Sequence, residues 1–543
     1  MPDSPSFSEV SRGESPVLSP QRLAGPPGPV PTLRWLQLAL FLWAFGSLFT
    51  TSGDYGLTWD EPTYIESAER LSGWFAEVGS GAIRSAFREE RLKEAWVFAR
   101  RDNRNLPAPV LLSLAGHVFG WGLPPPASYR LGVCALMGGT VAILFGSLAR
   151  RKGLLTGLVG AGALLLNPPL FAHAHIAATD TPVSSFLLLT LLLWLESAER
   201  PRLLWLGGLT GGLGLASKAS FAIVPMVLLL WLALFGDRSA WLRGLRLALL
   251  SALAMLLLCP MWWGHPLGGP FAYLARVAHA GERWQVDAFY LGKASTETLP
   301  WHSGFVLAAV TTPPLTLLLA TLGGFFGVKR KDPEAVLWLL AGLALPLARL
   351  LPSAPGHDGA RLLMPSLYCL APLAGLGFLE ASRLLSRTAW RAVALVCVLG
   401  LPARAILLMH PYEMSYYSEC IGGLPGAERL GFEVSYWFDA FTPEAREAVQ
   451  ALLPRSARVS TAPRYTGYPL LRQWHLWRAD LQDDEEDPQY VILYSRKGYF
   501  TQVPRLAELA ERAMPIWALR FQGVPLVRLY RLEARPVLAS PPP

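Results

Sequence analysis

Apolar residues dominate this chain in long uninterrupted runs rather than in short amphipathic periods. Leu33 to Thr51 is the first run and is long enough to cross about 30 Å of hydrocarbon. Further runs lie near 129–149, 153–172, 181–196, 202–217, 219–235, 242–262, 304–327, 335–352, 361–380 and 390–409. Counted together they predict eleven spans. The run from Pro107 to Gly122 is shorter than the roughly 20 residues a span needs and carries His117, so it reads as an interfacial helix. Leaving it out sends Arg150–Lys152, Arg200 and Arg202, Arg238 and Arg243, Lys329–Lys331, and Arg383, Arg387 and Arg391 to one side, which the positive-inside rule makes the cytoplasmic one.

Between the first two spans, Ile65–Phe75 and Ala82–Phe98 are amphipathic and suit helices lying on the membrane surface. After the last span the pattern changes. Pro443–Leu453 and Val503–Ala513 read as helices, and Ala457–Thr461, Tyr490–Tyr494, Ile516–Phe521 and Leu526–Leu532 as strands. The fold expected is therefore an α-helical polytopic membrane protein with a small C-terminal α/β extramembrane domain. Its parts would be a disordered cytoplasmic tail over 1–32, a membrane domain over 33–410 with its first outer loop over 52–128, and a periplasmic α/β domain over 411–543. The tail is rich in Ser, Pro and Gly, no cleavable signal peptide is expected, and no internal repeat is evident.

Composition agrees with a membrane location. The 543 residues are 52% hydrophobic and only 16% charged, against about 25% charged in soluble domains. The formal charge of +8 lies in short clusters between apolar runs, so it argues for cytoplasmic anchoring and not for nucleic acid. Four of the five cysteines, Cys134, Cys259, Cys369 and Cys397, fall inside apolar runs, so no disulfide framework or thiolate metal site follows. The run Asp483–Asp487 lacks the glycine-spaced pattern of a calcium loop and reads as a solvated turn.

Candidate chemistry gathers on the outer side. Asp60 and Glu61, in Thr58-Trp59-Asp60-Glu61-Pro62-Thr63-Tyr64, are adjacent carboxylates at the lip of the membrane. They repel each other, so one can accept or hold a proton in a partly desolvated cleft. His173-Ala174-His175 leads to Asp180-Thr181-Pro182, where Asp180 can cap a helix and still face the cleft. A His-x-His followed by Asp can ligate a divalent metal, although a third fixed ligand is lacking. Lys218 is isolated between two apolar spans, where a cation at bilayer depth costs roughly 2.5 to 3.5 kcal/mol; it suits either a snorkelling anchor or a phosphate ligand. Gly207, Gly208, Gly211, Gly212 and Gly214 form no phosphate loop and suit close helix packing in lipid. The loop from Trp262 to Pro300 adds His265, Arg276, His279, Arg283 and Lys293; a later turn reads Gly356-His357-Asp358-Gly359-Ala360-Arg361. Cations and carboxylates around an apolar groove suit an amphiphile carrying a phosphate, such as a lipid phosphate-sugar.

These motifs, with Tyr129-Arg130-Leu131, Asn167-Pro168-Pro169, Ser217-Lys218-Ala219, Pro300-Trp301-His302, Thr311-Thr312-Pro313 and His410-Pro411-Tyr412, resemble the GT-C glycosyltransferases. The resemblance is to the group containing protein O-mannosyltransferases and lipid A aminoarabinose transferases, over about residues 33–440. One departure is Leu106-Pro107-Ala108-Pro109, where relatives carry His or Lys before two prolines. The resemblance implies GT-C architecture and inverting transfer of a sugar from a polyprenyl-phosphate donor to a protein or glycolipid acceptor on the outer face of the inner membrane. It implies Asp60 as general base, Glu61 and Asp180 as orienting groups, and Lys218, Arg361 and Arg130 as phosphate ligands. His175, His265, His302 and Asp358 are further cleft candidates. The resemblance itself implies no cofactor and no nucleic-acid partner; a divalent metal is a candidate only through the His-x-His-Asp motif. The competing expectations are a lipid-linked sugar flippase, which would carry ionisable residues at mid-membrane, and a non-catalytic anchored binding protein.

Overall fold

The computed structural model describes residues 30–97, 106–278, 286–295, 299–351, 356–385, 387–501 and 503–532. The side chain of Arg276, together with His279, Arg283 and nearly all of the proposed N-terminal tail, lies outside them.

Each of the eleven apolar runs is helical. Five described helices are long and apolar enough to cross a membrane: Thr32–Thr50, Ala127–Lys152, Arg238–Leu258, Arg361–Leu384 and Thr388–Met409. The others are shorter or broken. Leu154–Leu165 stops before Asn167, whose side chain caps Pro168–His173, and Ser303–Val310 is separated from Pro314–Arg330 by Thr311–Pro313. Proline explains both breaks, since it cannot donate to the preceding turn and disfavours helix in the residue before it.

Packing sorts the helices by surface. Arg238–Leu258 exposes Leu242, Leu245, Leu249, Leu253 and Leu257 at helical spacing, a stripe suited to lipid. The helix Met364–Leu384 is instead central, and glycine allows its close crossings. A Cβ at Gly377 would meet the Leu319 carbonyl oxygen at 1.8 Å, and one at Gly323 the Leu373 carbonyl oxygen at 2.1 Å. The expected glycine face behaves the same way, Gly208 and Gly212 pressing on Leu250 and Ala254.

The two ends of the bundle carry different chemistry. Helix Ala127–Lys152 begins beside the acidic motif, where Arg130 meets Glu61, and ends at ion pairs from Arg151 to Glu334 and from Lys152 to Asp332. Arg150 meets Glu196 at that same far end. The short helix Pro107–Phe119 stays at the near end. Ala108 N–H donates to the Ala216 carbonyl two residues before Lys218, while Gly116 lies against Ser128 and Gly132 at the start of the long helix. Its 13 residues reach only about 20 Å.

A hairpin pairs β1 (Ala288–Tyr290) with β2 (Lys293–Ser295). The C-terminal segment forms a five-stranded sheet from β3 (Arg458–Ala462), β4 (Gln482–Asp483), β5 (Tyr490–Tyr494), β6 (Trp517–Phe521) and β7 (Val524–Arg531), in the order β4-β3-β5-β7-β6. β3 runs parallel to β4 and β5, and β7 is antiparallel to β5 and β6. The acidic run that begins at the end of β4 is held by Arg472 to Asp483, Arg464 to Glu485 and Arg458 to Asp487. One buried cluster runs across residue 411, including Phe145 and Trp338 of the bundle together with Trp437 and Tyr494, while a smaller one of Ala462, Val491, Leu493, Leu506 and Tyr530 belongs to the C-terminal segment alone.

Candidate active site

The segment before the acidic pair is strapped to the C-terminal part of the chain. Gly56 N–H donates to the Asp439 carbonyl at 2.9 Å and Trp59 N–H to the Trp437 carbonyl at 3.2 Å; Tyr465 Oη donates to the Leu57 carbonyl at 2.8 Å. A Cβ at Gly56 would meet the Phe438 carbonyl at 2.6 Å, so only glycine permits this approach. A helix then starts at Glu61, and the two carboxylates part.

Glu61 turns inward. It and Arg130 are both fully buried and joined by two parallel bonds, Nε to Oε1 and Nη2 to Oε2, each 2.8 Å. Arg130 also donates to the carbonyls of Ser52 at 2.7 Å, Tyr55 at 3.1 Å and Gly56 at 2.8 Å, while Glu61 accepts from Thr58 N–H at 2.8 Å and Ala177 N–H at 3.1 Å. All five guanidinium donors are used, so Arg130 has none for a phosphate, and Glu61 has no face toward an acceptor. The pair is a latch that fixes the loop. Both differ from their expected roles because burial favours the fork-to-fork pair over any solvated ligand.

Asp60 turns outward, its carboxylate making no cap contact with the helix it precedes. It pairs with Arg361, which also reaches Asp180 Oδ2 and Asp358 Oδ2, each at 2.9 Å. The Arg361 guanidinium stacks 3.8 Å from the centroid of Trp437. Lys218 bonds the other oxygen of Asp180 at 2.7 Å, and Arg496 the other oxygen of Asp358 at 2.9 Å. Three carboxylates thus alternate with three cations. Asp180 and Arg361 are nearly buried, whereas Asp60 is 37% and Lys218 28% exposed, so these two form the open edge. Lys218 points into the protein, which a snorkelling anchor would not do.

Asp358 sits in the left-handed region at φ 57°, which Asp enters more readily than most residues and which aims its carboxylate between two guanidinium groups. Burial raises its pKa, but Arg496, His357 and Arg361 outweigh that and hold it down to about 2.

The described histidines do not converge. His175 is buried, its ring bonded to Thr51 Oγ1 and to the Phe171 carbonyl, each at 2.8 Å, and is therefore structural and outside the cleft. His173 pairs with Tyr436 Oη at 3.0 Å. The His-x-His-Asp motif accordingly supplies no ligand set, and among the described residues no group of three or more His, Cys, Asp or Glu could hold a metal ion. His302 bonds Tyr290 Oη at 2.9 Å, beside a recess behind Asp358 that is lined by Tyr290, Tyr417, Glu433, Tyr436 and Arg496. His265 lines a separate surface recess with Trp262 and Leu267. Sequence reasoning missed Arg496 and Trp437. A basic residue two positions after the buried strand β5, and the aromatic run Tyr436-Trp437-Phe438, were the available signals.

A polytopic helical bundle with a charged cluster at one lip and a small appended sheet has the GT-C glycosyltransferase fold. Residues 111–263 match the family described as dolichyl-phosphate-mannose-protein mannosyltransferase. In structure the chain is similar to ArnT from Cupriavidus metallidurans bound to undecaprenyl phosphate, with a TM-score of 0.50 and 15% identity over 91% of this chain and 97% of that one. The apo form of that protein aligns at 0.49 and 15% over 92% and 98%. The oligosaccharyltransferase AglB from Archaeoglobus fulgidus, in complex with an inhibitory peptide and a dolichol-phosphate, aligns at 0.46 and 12% over 84% and 61%. At such identities the likeness is one of fold. No curated protein matches the chain in sequence.

Proposed function

We propose that this chain is a membrane glycosyltransferase that moves a sugar from a polyprenyl-phosphate donor to an envelope acceptor, protein or glycolipid, on the outer face of the inner membrane. The observation that carries the reading is the open edge of the charge cluster, where the Asp60 carboxylate and the Lys218 ammonium flank Arg361 at the near end of the bundle. The binding of undecaprenyl phosphate by the similarly folded ArnT supports a polyprenyl phosphate at this edge. Asp60 takes the acceptor hydroxyl proton and the acceptor oxygen attacks the anomeric carbon from the side opposite the phosphate. The bond from that carbon to the phosphate oxygen breaks, and the phosphate leaves with the electron pair; the sugar carbon inverts. Negative charge grows on the phosphate as it departs, so Lys218 and Arg361 stabilise the transition state more than the ground state. The donor phosphate also competes with Asp60 for Arg361, so the base becomes available once the donor is in place. Asp180 holds the two cations together.

The test is transfer by purified protein from a short-chain polyprenyl-phosphate sugar, comparing wild type with Asp60→Asn. Loss of the proton acceptor should lower kcat about a hundred- to ten thousandfold while donor binding persists. Near-normal transfer by the variant removes Asp60 as the base.

A further inference from the structure

Arg496 comes from the segment after a strand of the C-terminal sheet and not from the helical bundle, yet it closes the charge cluster. It lies two residues beyond the end of β5. Its Nη2 donates to Asp358 Oδ1 at 2.9 Å and its Nη1 to the Tyr436 carbonyl at 3.1 Å, and the guanidinium lies 5.7 Å from the Trp59 ring, next to Asp60. The turn beyond it is fixed by Glu433, which accepts from the backbone N–H groups of Lys497 and, at 2.9 Å, of Gly498. Arg496 itself is only 10% exposed in its side chain, so it reaches the cluster's interior and has no direct path to a ligand at the open edge.

The consequence is electrostatic. Asp60, Asp180 and Asp358 are balanced by Lys218, Arg361 and Arg496, leaving no net charge before an anionic donor arrives. Without Arg496 the same cluster carries one net negative charge, and Asp358, freed on one side, neutralises Arg361 alone. We infer that Arg496 is a positioning residue through which the C-terminal domain sets the affinity of the site for the phosphate of the lipid donor. This rests on the phosphate reading of Lys218 and Arg361 proposed above. The C-terminal domain is on this account part of the donor site, in addition to any contact it makes with an acceptor.

The reasoning fixes opposite signs for two substitutions in the full-length protein. Arg496→Gln makes the cluster negative, so the Kd for a short-chain polyprenyl phosphate and the KM for the donor should rise about tenfold or more. That is the scale of one unit charge acting over roughly 8 Å at an effective dielectric near 20. Asp358→Asn makes the cluster positive and loosens Arg361, so the same Kd should fall. Arg496→Lys restores the charge and should recover most of the affinity. General damage to the fold would instead weaken binding in both variants and resist rescue by Lys. Such a pattern, or an unchanged Kd in Arg496→Gln, overturns the inference. Wild-type protein that fails to bind polyprenyl phosphate at all overturns the phosphate reading beneath it, so the two failures are distinguishable.

Discussion

Neighbouring carboxylates with opposite duties can be separated by one conservative substitution. Glu61→Gln keeps the shape of the side chain but removes the charge that faces Arg130 and turns an NH2 group toward guanidinium donors. Both members of the pair are fully buried, and removing one partner of such a pair costs about 3 to 5 kcal/mol. Three backbone carbonyls still accept from Arg130, which places the cost near the lower end, about 3 kcal/mol. Against a total stability of about 5 to 15 kcal/mol this is a large loss, more than a hundredfold in the ratio of folded to unfolded protein. Thermal unfolding in one detergent, followed by tryptophan fluorescence and by the fraction remaining monodisperse, should therefore show a marked fall for Glu61→Gln. Asp60→Asn should unfold close to wild type, because its side chain is partly exposed and caps nothing. The refuting result is a Glu61→Gln protein as stable as wild type that has nonetheless lost sugar transfer; Glu61 would then act in the chemistry and the latch would be wrong.

Lys218→Ala should weaken binding of a short-chain polyprenyl phosphate about tenfold to a hundredfold, as expected for loss of one charge-assisted hydrogen bond, and calorimetric titration would measure it. Unchanged affinity would leave the lysine only its pairing with Asp180. A second network, His410 between Asp54 at 2.9 Å and Glu413 at 2.8 Å, ties the end of the last apolar helix to the loop that follows the first one. Burial disfavours the His410 charge, but Glu413 and Asp54 outweigh it and raise its pKa from 6.5 to about 9. A folded-state pKa above the unfolded one stabilises fully below about pH 6.5 and ceases to do so as pH rises through about 9. The thermal stability of wild type relative to His410→Gln should consequently shrink between pH 6.5 and 10, and a constant difference over that range would refute the assignment.

Much of this architecture is determined locally and was legible in the sequence. Hydrophobic length marks the helices, because lipid demands long apolar stretches whose backbone bonds within themselves. Period-two patterns placed β5 at its observed bounds and β3, β6 and β7 within two residues at each end, apart from the two-residue strand β4, too short to show any period. Asp60, Asp180, Lys218, Asp358 and Arg361 stood out because an ionisable group beside an apolar run is costly unless something holds it. What holds each one is not local. Whether Asp60 or Glu61 faces outward depends on Arg130, 69 residues beyond Glu61, and His175 is taken from the cleft by Thr51, 124 residues before it. Arg496 meets Asp358 across 138 residues because the segment around Trp437 and Asp439 bonds the first loop at Gly56 and Trp59 and is itself held to β5 by Tyr494. A charge's role is set by its partners and its access to water, and both arise when distant segments pack together. Pattern alone marked the charged residues; tertiary structure decided which of them became latch, cluster or open edge.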